Sequence, residues 1–296
     1  MQKTSLLQIS HLPQTNLSNY FAKPQQTQDS PMNHTSESPS FLQLQYRVCH
    51  TIATKEIRRI VRIWKVTVMP PIINTYLFCL VFGQIIGSRL GLIEGLTYLQ
   101  FIVPGLIMNI VINESFSNCA SSILIDKYHK AMDDLVVAPA HAMSILVGYL
   151  LGGMFRAFLS GLFSALLGYY LAGIELHNPF ILAYAFVITS IVFSLLGMIN
   201  GLYAKRFDEL TTIPTFILTP LSFFGGVFYD IRRLPHPWDD LSWFNPIVYM
   251  VDSFRFGSFG VDFHDYRIAL AVITLLALFL FFFTAYLLKT GFGLRK

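Results

Sequence analysis

Six stretches of this sequence are too long and too poor in charge to be buried inside one soluble domain. They are Val66–Gly87, Tyr98–Leu124, Met143–Ala172, Pro179–Ala204, Thr211–Tyr229 and Ile268–Leu288. The first has 22 residues, about 33 Å as a helix, enough to cross a hydrocarbon core of about 30 Å. Pro70 and Pro71 fall near its start, where a missing N–H costs least. The pattern predicts an all-α integral membrane protein with six transmembrane helices. Composition agrees: only 13% of residues are charged and 54% are hydrophobic, whereas soluble domains carry about 25% charge. A bilayer removes the need to hide that apolar surface, and the 27 Phe residues suit lipid-facing helices.

The flanking segments differ. Residues 1–45 are rich in Gln, Ser, Thr, Asn and Pro and read as a disordered tail. No apolar core of about 7–15 residues follows an early charge, so this segment is not read as a signal peptide. Over residues 46–65, Ile52, Ile57, Ile60, Val61 and Trp64 recur at helical spacing, among Arg47, Lys55, Arg58, Arg59, Arg62 and Lys65. That is a basic amphipathic helix suited to the membrane–water interface, with an ordinary surface helix as the alternative. Residues 66–296 form the membrane domain. Within it, 230–265 is different: Leu241–Val251 is apolar but too short to span, and Pro235, Pro237 and Pro246 interrupt it. This stretch reads as a short re-entrant hairpin, tolerated at membrane depth only where protein covers its backbone.

Orientation follows from Lys and Arg. With six spans both termini share a side. That side holds 13 of these residues: Arg47, Lys55, Arg58, Arg59, Arg62, Lys65, Lys127, Lys130, Lys205, Arg206, Lys289, Arg295 and Lys296. The other holds 5: Arg89, Arg232, Arg233, Arg255 and Arg267. The excess predicts cytoplasmic termini and a hairpin on the periplasmic side.

Enzyme motifs are missing. Gly-Lys does not occur, so there is no phosphate-cradling Walker A loop; nor is there a His-Glu-x-x-His pair or a Gly-x-Ser-x-Gly elbow. The three cysteines read as free thiols. In 126–139, Tyr128, Met132, Leu135 and Val136 recur at helical spacing beside Asp133 and Asp134. This is either a short amphipathic helix that docks in a partner's groove or a solvated connector. Arg156 is a base well inside a span and needs a partner or water; Glu114 is the candidate. The pair reads as a helix staple or as a functional charge. Small residues four apart at Gly83/Gly87, Gly148/Gly152 and Gly197/Gly201 allow close helix contact, within one subunit or between two.

Several pieces in order resemble one family. Pro214–Tyr229, followed by Leu234-Pro235 and by Asn245-Pro246-Ile247-Val248-Tyr249-Met250, resembles the signature region of bacterial ABC transmembrane type-2 permeases. Gln100–Met108 resembles that family's second span, and Glu209–Pro214 and Gly291–Arg295 also fit. The likeness runs from about residue 46 to the end and is closest to the YadH-like branch. It implies six spans, an N-terminal interface helix carrying Lys55, Arg58, Arg59 and Arg62, and a cytoplasmic coupling helix containing Tyr128, Met132, Asp133, Asp134 and Leu135. It further implies a homodimer in the bacterial inner membrane, joined to two copies of a separate ATP-binding subunit that holds ATP and Mg. No cofactor is expected in this chain, nor any nucleic-acid partner. Members export glycans, lipid-linked compounds or drugs.

Three functions are open to test: an export permease driven by a partner ATPase, a secondary transporter or channel working alone, and a membrane scaffold. The second would use Arg156 and Glu114 as an ion relay. An adjacent gene for an ATPase would favour the first.

Overall fold

The computed structural model describes residues 40–87, 91–131, 140–261 and 265–291. Ten α-helices are named here in chain order. They are α1 Phe41–Arg62, α2 Trp64–Leu80, α3 Tyr98–Tyr128, α4 Ala142–Ala172 and α5 Pro179–Tyr203, then α6 Phe207–Ile213, α7 Thr219–Phe223, α8 Trp238–Ser242, α9 Pro246–Phe259 and α10 Tyr266–Thr290. Among the described residues there is no strand beyond an isolated bridge between Ile93 and Leu96. Helix starts are set by local chemistry. Ser40 and Thr97 each form a capping box, with Gln43 and Gln100 respectively. His141, Asn178 and Asp265 cap α4, α5 and α10 through their side chains.

Five helical segments are long and apolar enough to cross a membrane: Trp64–Gly83, Tyr98–Tyr128, Ala142–Ala172, Pro179–Tyr203 and Tyr266–Thr290. They match five of the six expected stretches. The remaining one, Thr211–Tyr229, differs. Helix begins earlier, at Phe207, passes through a π-helical stretch at Pro214–Leu218, and stops at Phe223, before Gly225 and Gly226. Pro214 has no N–H for the Leu210 carbonyl, and the Asn200 side-chain amide donates to that carbonyl instead at 3.2 Å.

The first span shows the same repair. Its helix starts at Trp64, so Pro70 and Pro71 sit in its interior rather than near its start. The Thr67 carbonyl, left without a donor by Pro71, accepts from the Ser160 hydroxyl of α4 at 3.2 Å. The bilayer offers no water for such a group, so a neighbouring helix must supply the donor.

The amphipathic helix starts earlier than expected. α1 begins at Phe41, so residues 41–45 are helical and not tail; residues 1–39 lie outside the described set. Its apolar residues Ile52, Ala53 and Ile60 are buried against protein, whereas Val61 and the following Trp64 are exposed. α1 runs parallel to α4. Gln45 accepts from the His141 amide at 2.8 Å, Ile52 meets Gly148, and Glu56 meets Gly152. A Cβ on Gly152 would lie 2.6 Å from Glu56 Cβ, so only glycine permits the contact. Gly197 and Gly201 likewise bring α5 onto the backbone of α3, and Gly83 meets Leu99. The pairs Gly148/Gly152 and Gly197/Gly201 are therefore used within one subunit.

The hairpin is helical over Pro246–Phe259, later in the chain than its apolar stretch suggested, and packs among α3, α5 and α10. Arg255, fully buried, donates to the carbonyls of Phe101, Gly226 and Val227 at 3.2, 2.6 and 3.3 Å. Its guanidinium lies 3.8 Å from the Phe101 ring centre. Arg255 thus ties this helix to α3 and to the turn at Gly226 and Val227.

Candidate functional site

α3 is buried on nearly every side. From Phe101 to Asp126 the residues that escape full burial are 109, 110, 113, 114, 117, 121 and 125. Four of them, Asn109, Asn113, Ser117 and Ser121, are polar and spaced by four, so they form one stripe along the helix. A polar stripe on the one open face of a spanning helix is costly against lipid and natural against water or another subunit. The side chains are partly satisfied by their own helix. Asn113 donates to the Asn109 carbonyl at 2.8 Å, and Ser121 donates to the Ser117 carbonyl at 2.7 Å. Such groups retain acceptor lone pairs and little unmet demand.

A second stripe lies on the broken helix. Thr211, Thr215 and Thr219 are spaced by four and all exposed. Thr211 donates to the Asp208 carbonyl at 2.8 Å and Thr219 to the Pro214 carbonyl at 3.0 Å. Over residues 207–223 only Leu218 and Ser222 are buried. Sequence reading missed both stripes, although the four-residue recurrence of Asn, Ser and Thr inside apolar stretches was there to be read.

The expected charged residues fall into distinct settings. Arg156 Nε lies 2.5 Å from Glu114 Oε2, with both side chains about one-fifth exposed (19% and 17%). The two helices are therefore tied across that face. Arg156 lies between Gly152, which meets Glu56, and Ser160, which meets Thr67. It is thus level with the end of α1.

The four cations expected of the interface helix split two and two. Lys55 is ion-paired with Asp126, which also accepts from the buried Tyr149 hydroxyl. Arg59 lies 2.7 Å from Glu56 Oε2 and donates to Asn118 Oδ1 at 2.9 Å; Ser122 donates to Glu56 at 2.6 Å. Glu56 is only 1% exposed, so these partners are what let an acid sit there. Arg58 and Arg62 are exposed.

Of the expected coupling residues, Met132, Asp133, Asp134 and Leu135 lie outside the described residues. Tyr128 is described, and its ring is engaged within the chain: it stacks on Phe207 with centroids 5.1 Å apart, and its hydroxyl donates to the Lys205 carbonyl at 3.1 Å. Lys127 donates to the carbonyls of Gly201, Leu202 and Ala204 at 3.3, 2.8 and 2.9 Å.

Two other features lie away from the stripes. An apolar cavity of about 510 Å³ opens between α4 and α5, lined by Leu151, Phe158, Phe186 and Val187 with Ser190 as the hydroxyl present. One His and acid group among the described residues could share an ion, His236 with Asp239 and Asp240; His236 Nδ1 already lies 3.0 Å from Asp240 and 3.5 Å from Asp239.

Comparison with known proteins adds a family. A model described as ABC-2 type transporter matches residues 47–259. The inner membrane transport permease YadH of Escherichia coli K12 is 39% identical over 246 residues, covering 83% of this chain and 96% of that protein. Nodulation protein J of Rhizobium leguminosarum bv. viciae is 24% identical over 188 residues, 61% of this chain and 69% of that protein. Nodulation protein J of Neorhizobium galegae is 20% identical over 215 residues, 72% and 81% respectively.

Proposed function

This chain belongs to the ABC-2 type transporter family, and we propose that it is the membrane-spanning permease of an ATP-driven exporter in the bacterial inner membrane. The observation that carries the pathway is the polar stripe Asn109–Asn113–Ser117–Ser121 on the one open face of α3. In the proposed assembly two copies of the chain face one another, and the stripes of α3 and of residues 207–223 line the space between them. The broken helix is the sixth span in this reading, completed by packing against the second copy. Its exposed Thr face and sparse burial support that placement.

Energy enters from outside the chain. The sequence holds no Gly-Lys and so no Walker A loop. Two copies of a separate ATP-binding subunit would supply ATP, Mg and closure. Docking would use the connection after α3, with Met132 and Leu135 as apolar anchors and Asp133 and Asp134 at the rim. Closure can act only by favouring one permease conformation over another. The lining is neutral and rich in amides and hydroxyls, which suits a polar, uncharged portion of a cargo such as a glycan. The stand-alone carrier reading draws less support, because Arg156 and Glu114 neutralise each other.

The test is reconstitution with an ABC ATP-binding subunit of the same organism, sought first among the neighbouring genes. Co-purification and hydrolysis that depends on both chains are expected. Met132→Ala with Leu135→Ala should insert normally yet lose the partner, each anchor costing about 1–3 kcal/mol. Failure of the wild-type chains to co-purify, or hydrolysis indifferent to the permease, would contradict the reading.

A further inference from the structure

The end of α3 is locked to a second connection far away in sequence. Three carbonyls at the C-terminus of α5, those of Gly201, Leu202 and Ala204, converge on the Lys127 ammonium. The last carbonyls of a helix have no partner within it and sit at the negative end of its dipole, so a lysine there satisfies both demands. The neighbouring residue grips the connection between α5 and α6. Tyr128 donates to the Lys205 carbonyl and stacks on Phe207, the first residue of α6, at an interplanar angle of 12°. Glu209 accepts from the Lys205 amide at 2.7 Å and closes the turn. Residues 201–207 therefore cannot stay in place if the end of α3 shifts, unless four hydrogen bonds and a ring stack break together.

Beyond this joint lies the least anchored helical segment among the described residues. Over 207–223 only Leu218 and Ser222 are buried, and the π-helical turn at Pro214–Leu218 interrupts its hydrogen-bond ladder. Few buried contacts within the chain leave its position to the joint and to the second copy proposed above rather than to the frame. By contrast, α3, α4 and α5 meet at glycines with no room to slide.

We infer that Lys127 and Tyr128 are positioning residues that transmit displacement of the first cytoplasmic connection to the broken helix 207–223, and so to its Thr215 and Thr219 face. The inference rests on the ATP-driven reading above and adds a route to it. It assigns Tyr128 an inward task, gripping a neighbouring connection, in place of direct contact with the ATPase.

The test uses the full chain in complex with its ATP-binding subunit, in a background where Cys49, Cys79 and Cys119 are replaced by Ser. Thr215→Cys reports through its rate of reaction with a water-soluble maleimide, with no nucleotide and with ATP plus vanadate. The parent should show a several-fold difference between the two conditions. Tyr128→Ala and Lys127→Met should bring that ratio close to unity while co-purification and ATP hydrolysis persist. Tyr128→Phe keeps the stack and should restore most of the ratio, a recovery that a loss of folding would not show. A ratio in Tyr128→Ala equal to the parent's overturns the joint alone. No nucleotide-dependent change in the parent overturns the ATP-driven reading and the joint with it.

Discussion

The frame built by α1, α3, α4 and α5 and the broken helix 207–223 are made by opposite rules. In the frame, helices touch backbone to backbone: a Cβ on Gly197 would lie 2.3 Å from the Phe116 carbonyl oxygen. Charges inside the frame are paired, as Lys55 is with Asp126 and Arg59 with Glu56. In the broken helix almost nothing is buried, its ladder is interrupted by a π-turn, and its hydroxyls bond to their own backbone. A chain that must hold its shape in one part and rearrange in another needs both. The contrast separates a part fixed within the chain from one whose position is left to its surroundings.

The largest effect should come from overfilling the frame. Gly197→Leu places a side chain where a backbone carbonyl already sits and neither helix can retreat. Even modest overpacking costs about 1–3 kcal/mol, so this variant should fail to accumulate as folded protein. Monodisperse protein on size-exclusion in detergent, in amounts like the parent, would break the comparison.

Next comes the charge network. Arg59→Met strands the buried Glu56 carboxylate and should cost about 3 kcal/mol, read as a lower thermal midpoint. Arg58→Met, on the exposed side of the same helix, should stay within about 0.5 kcal/mol. Equal losses would mean that α1 is held by general surface charge and not by its specific partners. Arg156→Met ranks below Arg59→Met, at about 2 kcal/mol, because the pair is partly exposed. Adding Glu114→Gln should recover part of that loss, and strictly additive defects would show that the pair contributes no coupling.

The smallest stability effect belongs to the broken helix. Thr215→Leu should change the midpoint by no more than about 0.5 kcal/mol in the isolated chain, yet reduce transport in the reconstituted complex. A large stability loss there would place residue 215 in the frame and remove the distinction between the two regions.

Much of this architecture was legible in the chain. Five spanning helices were bounded within a few residues, because length, apolarity and capping residues act locally. The Arg156–Glu114 contact was legible too, since a base among apolar residues needs an acid and few are in reach. What escaped depended on distant partners. The charge on Lys55 and Arg59 suggested a lipid surface, but their partners Asp126, 71 residues from Lys55 in sequence, and Asn118 were not legible. Glycine pairs announced close contacts but not with whom. The break at Pro214 was visible as a proline inside a span, but whether it kinks or unwinds depends on Asn200 reaching the freed carbonyl. The two polar stripes were available in the sequence and were missed because each residue looks innocuous alone.

The central claim is that one face of α3 is wet within the membrane. It is tested most directly by a cysteine scan of residues 108–121 in the assembled complex, reacted with a small water-soluble maleimide. Cys49, Cys79 and Cys119 are replaced by Ser so that only the introduced thiol reacts. The account predicts reaction at positions 109, 113, 117 and 121 and none at 108, 112, 116 and 120, a period of four that follows the stripe. Reaction at every position, at none, or with a period out of phase with Asn109, Asn113, Ser117 and Ser121 would contradict it.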